Sequence, residues 1–311
     1  MSNSLTLFAG TANPDLAMAT TRELGVSLGD CAIERFPDGE VSVRLNEPVR
    51  GHEVFIVQPT SPPVNEHLVE LLALVDACRR ASAAQITAIV PYFGYARSDK
   101  RHGRREPVMA SMVALLLQAV GVERVVTIDL HAPQIEGFFH IPVDTLTAVP
   151  MLAAALVGKL PDGIVVAAPD ANAVRLASRY AHRLKASVVV LHKQRESGTE
   201  TKVTHLVGDV RDRPCLIVDD MISTGGTIAE AIEALLESGA RPEITVAATH
   251  GLLLAGAREK LSHEAVRELL VTDTVPVAMD GWSQLRVISV APLLARALKR
   301  LMADGSLSDL Y

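Results

Sequence analysis

The sequence predicts an α/β protein of two tandem domains with mainly parallel, doubly wound sheets. Three observations carry that expectation. Apolar, β-branched runs alternate with helical patterns along all 311 residues, which is the signature of parallel strands joined by crossover helices. The composition is 49% hydrophobic but only 4% aromatic, so the core is aliphatic, as packed α/β layers favour. Strand endings also recur in order. I-V-Q-P-T, A-I-V-P-Y-F and T-I-D-L-H in the first half are echoed by V-V-A-A-P-D, V-V-V-L-H-K and L-I-V-D-D-M in the second. The echo puts a domain junction near residues 145–150, dividing the chain into 1–146 and 147–311. In such sheets ligands gather at the carboxyl ends of the strands, and all six of these endings carry polar or charged residues.

Strands are expected at 5–8, 32–35, 41–45, 53–57, 85–91 and 125–129, then at 164–168, 187–191, 215–218, 243–249, 269–272 and 285–289. Each is a short apolar or β-branched run bounded by turn residues. Helices are expected at 14–24, 65–81, 107–119, 147–158, 172–184, 227–238, 256–261 and 291–301, where apolar residues return at helical spacing.

Composition also excludes several functions. The net charge is −6, which argues against a general nucleic-acid surface. Cys31, Cys78 and Cys215 are odd in number and widely spaced, so neither a zinc site nor a disulfide framework is indicated. The start M-S-N-S-L-T-L-F-A-G lacks a basic n-region, and no window approaches the roughly 18 apolar residues of a membrane span. A soluble, cytoplasmic protein with no nucleic-acid or membrane partner is expected.

The most informative stretch is C-L-I-V-D-D-M-I-S-T-G-G-T, Cys215 to Thr227. An apolar strand leads to Asp219 and Asp220, then to a loop of Ser223, Thr224, Gly225, Gly226 and Thr227, and then to a helix. A Gly-rich loop feeding a helix N-terminus binds anions through free backbone N–H groups and the helix dipole. Two adjacent carboxylates would repel a bare phosphate, so they should face sugar hydroxyls or a metal ion. A phosphate one loop from diol-binding carboxylates describes a ribose 5-phosphate.

Other motifs stand beside plainer alternatives. Arg35 to Glu40, R-F-P-D-G-E, is a good β-turn in its own right; functionally, Phe36 would stack on a base while Asp38 and Glu40 accept its hydrogen bonds. The basic stretch P-Y-F-G-Y-A-R-S-D-K-R-H-G-R-R-E-P contains Arg97, Lys100, Arg101, Arg104 and Arg105. It is either a solvated face or a cover that clamps polyphosphate. Asp129, His131 and Gln134 cluster after a strand, where Mg²⁺ or phosphate contacts fit, whereas Phe138, Phe139 and Ile141 read as packing residues. Asp170 ends a strand and either binds metal or caps a turn, with Asn172 as helix N-cap. Lys193 and Arg195 share one side of an extended strand, a placement suited to in-line phosphoryl transfer or to an ordinary surface.

The Asp219–Thr227 loop resembles the signature loop of proteins that bind phosphoribosyl diphosphate (PRPP). Taken in order over essentially the whole chain, R-F-P-D-G-E, Y-A-R-S-D-K-R, D-L-H-A-P-Q-I-E-G-F-F-H-I-P-V-D and V-D-D-M-I-S-T-G-G-T resemble the ribose-phosphate diphosphokinase (PRPP synthetase) family. The first three are not shared by ordinary phosphoribosyltransferases.

The resemblance implies two tandem phosphoribosyltransferase-like (Rossmann-like) domains, with the last helix packing back on the first. It implies that ATP and ribose 5-phosphate give PRPP and AMP with Mg²⁺, in a homo-oligomer that is a hexamer or is built from dimers. By resemblance, Phe36, Asp38 and Glu40 hold adenosine from a neighbouring subunit, with Arg97, Asp99 and Arg105 also on ATP. His131 and Asp170 contact the metal, and Lys193 and Arg195 stabilise the transition state. Asp219 and Asp220 hold the ribose hydroxyls, and Ser223, Thr224, Gly225, Gly226 and Thr227 hold the 5-phosphate.

This chain departs from the family pattern in places. Ser98 replaces a usual Gln, and Asp170-Ala171-Asn172-Ala173 replaces a D-x-G-G string. Pro48 and Pro133 stand where hydroxyl residues are usual, while Arg50, Ser82 and Arg105 are retained, so weakened control by phosphate and ADP is expected. A PRPP-consuming transferase and a non-catalytic regulatory subunit are the competing readings.

Overall fold

The computed structural model describes residues 5–101, 103–195, 201–279 and 281–311, and the side chains of 193–195 and 201–204 lie outside that description. The chain divides into two compact units. One runs to Thr147 and also takes Thr274–Pro276 and Ser289–Tyr311; the other comprises Ala148–Asp273 and Val277–Ile288.

The first unit begins with β1 (Leu5–Ala9) and α1 (Pro14–Leu24). Asn13 caps α1 by accepting from the Leu16 N–H, proline opens the helix, and Gly25 ends it at φ +76°, each residue type being where helix termini need it. The chain continues through β2 (Cys31–Arg35), β3 (Val41–Leu45), β4 (Glu53–Val57), α2 (Val64–Arg80), β5 (Gln85–Val90), α3 (Met109–Val120) and β6 (Arg124–Ile128). A 3₁₀ turn at Pro133–Phe138 precedes β7 (Val143–Leu146). Strands β1, β4, β5, β6 and β7 form a parallel sheet in the order β1-β4-β5-β6-β7, while β2 and β3 pair with each other as an antiparallel hairpin. Leu71, Leu74 and Val75 of α2 and Ala110, Val113, Ala114 and Leu117 of α3 fill one core with the sheet, as their helical spacing requires.

The second unit contains α4 (Val149–Leu156), β8 (Val165–Ala168), α5 (Val174–Leu184), β9 (Ser187–Arg195), β10 (Thr201–Val207), β11 (Cys215–Ile222), α6 (Gly226–Glu237), β12 (Ile244–Gly251), α7 (Ala257–Leu261), β13 (Val266–Thr272) and β14 (Leu285–Ile288). Its sheet runs β10-β9-β8-β11-β12-β13-β14, with only the β9–β10 pair antiparallel. Val165, Ala167, Ile217 and Val246 join Ile228, Ile232 and Leu235 of α6 in one core. The alternate residues Val166, Leu216 and Val218 are fully buried as well, so both faces are covered and the strands read as continuous apolar runs. No helix among the described residues is long and apolar enough to cross a membrane.

Three differences from the expected elements have physical causes. β11 does not stop at Val218 but continues to Ile222, because β12 keeps pairing with it. The short β7 was not expected, since Pro142 and Asp144 interrupt its apolar pattern; it forms as an added edge strand on β6. β10 was likewise not expected, and it forms by antiparallel pairing with β9.

The last helix, α8 (Ala291–Leu301), belongs to the first unit and packs on α1. Beyond it, the Thr147 N–H donates to the Leu310 carbonyl at 2.9 Å, and the Tyr311 hydroxyl donates to Asp144 Oδ1 at 2.8 Å. Asp144 Oδ2 meets Arg124 Nη1 at 2.6 Å, so one buried carboxylate joins β6, β7 and the 307–311 segment. Burial and the Asp144 carboxylate push the Tyr311 hydroxyl up to about 12. Asp144→Ala leaves the guanidinium without its partner and should cost about 3 kcal/mol, whereas Tyr311→Phe removes one hydrogen bond and should cost about 1 kcal/mol; urea unfolding of both variants checks the ratio.

Candidate functional site

In the second unit the acidic pair lies inside a strand rather than after one. β8 accompanies β11 only from Cys215 to Ile217, while β12 stays in register through Ile222 opposite Gly251. Asp219 and Asp220 therefore stand where one neighbour has already ended, with Met221 and Ile222 buried beyond them. The Asp220 N–H donates to Asp219 Oδ1 at 2.9 Å. Burial first, then Asp220 and Asp170, push the Asp219 carboxyl well above the ordinary aspartate range.

The loop after β11 turns into α6 at Gly225, which sits at φ +75° as N-cap with no side-chain cap. Its carbonyl takes the Ala229 N–H at 2.9 Å, so the N–H groups of the first turn have no intrahelical acceptor and face the loop with the positive end of the helix dipole. The two glycines serve different ends. At Gly225 a Cβ would combine a left-handed φ with a 3.1 Å approach to Leu261 Cγ; at Gly226 it would meet nothing nearer than Thr224 Oγ1 at 3.9 Å. Gly225 is thus required by the fold, and Gly226 leaves open backbone for a ligand. The Ser223 carbonyl takes the Leu254 N–H at 2.9 Å, which ties the loop to the segment after β12.

Asp170 follows β8, and its Oδ1 accepts from the N–H groups of Asn172 at 2.8 Å and Ala173 at 3.1 Å. The expected N-cap, Asn172, is corrected by this geometry. The N-cap of α5 is Ala173, without a side-chain bond; the Asp170 carboxylate reaches the turn's donors first. Lys193 and Arg195 lie on the backbone of β9, but their side chains are outside the described residues.

In the first unit Phe36, Asp38 and Glu40 occupy the tip of the β2–β3 hairpin. Phe36 is exposed, its N–H donates to the Glu40 carbonyl at 2.8 Å, and Asp38 Oδ1 accepts from the Glu40 N–H at 3.1 Å. Gly39 takes φ +93° in this turn. The basic stretch after β5 is anchored along its first half. Thr60 Oγ1 accepts from the Gly94 N–H at 2.6 Å, Tyr95 donates to Asn65 from a left-handed conformation of φ +65°, and Phe93 packs edge-on against Phe139. Ser98 accepts at both of its oxygens, Oγ from the Met109 N–H and the carbonyl from the Ala110 N–H, each at 3.2 Å.

Ser98 thereby supplies the cap that α3 lacks from its own N-cap, Val108. Exposed Arg97 is held between these ties, and buried Asp99 accepts from Gln134 Nε2. Arg105 is exposed at φ +64°. His131 is half-buried after β6. Nearby Asp129 sits at φ +39° and accepts from Thr147 Oγ1 at 2.6 Å. The anchoring roles of Thr60 and Asn65 are not legible from local motifs, since these residues lie 34 and 30 positions from their partners.

Gly225→Ala should lower the melting temperature, at a cost of about 1–2 kcal/mol for the left-handed residue alone, while Gly226→Ala should leave it unmoved; thermal denaturation without ligands separates them. Asp219 holds its proton more tightly folded than unfolded, so its ionisation costs stability as pH rises through and beyond the unfolded value. Asp219→Asn should therefore raise the melting temperature at pH 7, and the gain should vanish below about pH 4; melting curves across that range test the sign.

A family model described as the N-terminal domain of ribose phosphate pyrophosphokinase matches residues 5–121, and one described as a phosphoribosyl synthetase-associated domain matches residues 197–311. The chain is 45% identical to a ribose-phosphate pyrophosphokinase of Caldanaerobacter subterraneus, over 99% of this chain and 98% of that one. It is 44% identical to the enzyme of that name in Haemophilus influenzae, over 98% of each chain. A crystal structure of phosphoribosylpyrophosphate synthetase from Mycobacterium smegmatis superposes with a TM-score of 0.92 at 41% identity, covering 97% of this chain and 100% of that one. The chain belongs to the ribose-phosphate pyrophosphokinase family.

Proposed function

We propose that this protein is a ribose-phosphate diphosphokinase. The anomeric hydroxyl of ribose 5-phosphate attacks the β-phosphorus of ATP, the diphosphoryl group moves as a unit, and PRPP and AMP leave. The observation that carries the reading is the second-unit site, where an acidic pair on β11 stands one loop away from the open N-terminus of α6. Full-length likeness to proteins of that name supports it. Asp219 and Asp220 are assigned to the ribose hydroxyls, and residues Ser223 to Thr227 to the 5-phosphate, which the α6 N–H groups and dipole neutralise. Lys193 and Arg195 are assigned to the charge that develops on the transferring group.

Adenosine is assigned to Phe36, Asp38 and Glu40 of a neighbouring copy in a homo-oligomer, with Arg97, Asp99 and Arg105 toward the triphosphate. Mg²⁺ would neutralise phosphate charge and orient the phosphates for in-line attack. Asp170 fits that ion: Oδ1 is held by two backbone N–H groups, and Oδ2 makes no hydrogen bond among the described residues. A hard cation favours this oxygen over the nitrogen of His131, the other residue assigned to it, and takes its remaining ligands from phosphate and water.

Incubation with ATP, Mg²⁺ and ribose 5-phosphate, followed by ³¹P NMR, tests the reading. AMP and PRPP should appear together, and only when ribose 5-phosphate is present; added phosphate should activate weakly, since Pro48 and Pro133 replace hydroxyl residues. Binding of ribose 5-phosphate without turnover would overturn the catalytic reading. Gly226→Ala should raise KM for ribose 5-phosphate about tenfold or more by adding a methyl where the phosphate approaches, with the melting temperature unchanged; steady-state kinetics checks it.

A further inference from the structure

Among the described residues, the β2–β3 hairpin forms no hydrogen-bonded strand pair with either large sheet. A two-stranded hairpin is marginal by itself, so its direction depends on what holds it to the body. Its stem is held by apolar packing, with Ile33, Val43 and Leu45 against the first unit's core. Its tip carries Phe36, Asp38 and Glu40, and beside that tip stands Arg35, the last residue of β2.

Arg35 reaches two carboxylates one turn apart on α2. Nη1 meets Glu66 Oε2 at 3.1 Å, and Nη2 meets Glu70 Oε2 at 3.0 Å. Glu66 is largely exposed, but Glu70 is completely buried. A buried carboxylate persists only when its oxygens are fully met, and Glu70 has four donors. Oε1 accepts from the Thr11 N–H at 2.6 Å and from Gln58 Nε2 at 2.8 Å; Oε2 accepts from Thr11 Oγ1 at 2.6 Å as well as from Arg35. Gln58 Oε1 in turn accepts from the Ala12 N–H at 3.1 Å. Thr11 and Ala12 follow β1 and Gln58 follows β4, so this network knits together two carboxyl-end loops of the first sheet and then grips the hairpin.

We propose that Arg35 and Glu70 are positioning residues for ATP binding: Glu70, fixed by the loops after β1 and β4, holds Arg35 and so sets the direction in which the hairpin tip presents Phe36, Asp38 and Glu40. The proposal rests on the reading of that tip as the adenosine site. It makes the tip's aim a property of a buried carboxylate rather than of the hairpin's own turn. Hydrogen bonds to a buried charge resist displacement, which suits a device that must hold a base-stacking ring in one place.

The test compares Arg35→Ala, Arg35→Lys and Phe36→Ala in full-length protein. Glu70 itself is left intact, because removing it strands four donors. Arg35→Ala should raise KM for ATP about tenfold and leave KM for ribose 5-phosphate and kcat within about twofold, with a lowered melting temperature because buried Glu70 loses its cation; Arg35→Lys, which keeps one charged contact, should recover most of both losses. Equal changes in both KM values would overturn the proposal, since Arg35 would then act on stability alone. An unchanged KM for ATP in Arg35→Ala would also overturn it. In that case Phe36→Ala tells which idea fell: a raised KM there keeps the adenosine reading and removes only the positioning role, and an unchanged KM removes both.

Discussion

The second unit depends on a mismatch in strand length. β8 pairs with β11 only as far as Ile217, while β11 runs on beside β12 to Ile222. A strand that outlasts one neighbour opens one side of its backbone and side chains at the carboxyl end of the sheet, where parallel sheets bind ligands. Asp219 and Asp220 sit on that extension, and the same extension delivers Ser223 to Gly225 to the start of α6. The loop cannot be moved without moving the sheet, because Ile222 and Ser223 both accept from the segment after β12. The acidic pair and the N-terminus of α6 are thus rigidly spaced by pairing, not by the loop.

Such a site is expensive to keep. Burial and two neighbouring carboxylates raise the proton affinity of Asp219, and Gly225 gives up the ordering that a side chain would lend. Natural sites tolerate local destabilisation where function needs it, and here the cost is borne by apolar strands buried on both faces, Val165 to Ala168 among them.

The first unit solves a different problem, the aiming of exposed groups. Arg97 and the hairpin tip are exposed, yet each is flanked by ties into the body. Thr60, Asn65, Ser98 and Gln134 secure the turns around Arg97, and Arg35 secures the hairpin. Ser98 does both at once: it lies beside Arg97 and caps α3 from outside the helix.

By itself the sequence determined the alternation of strands and helices, because buried parallel strands and amphipathic helices have different apolar periods. It also determined the Gly-rich loop after an acidic pair, since both lie within one contiguous stretch from Cys215 to Thr227. Only the tertiary structure decided that the acids lie within β11, that β7 and β10 form at all, and that Asp170 rather than Asn172 serves the turn before α5. The same is true of the Glu70 network. Its members lie as far as 59 residues apart, and a glutamate at a core-facing helical position reads as an error of pattern until its donors are known. Local periodicity and contiguous motifs are written in order along the chain; strand-pair lengths and buried hydrogen-bond partners arise only when distant segments meet.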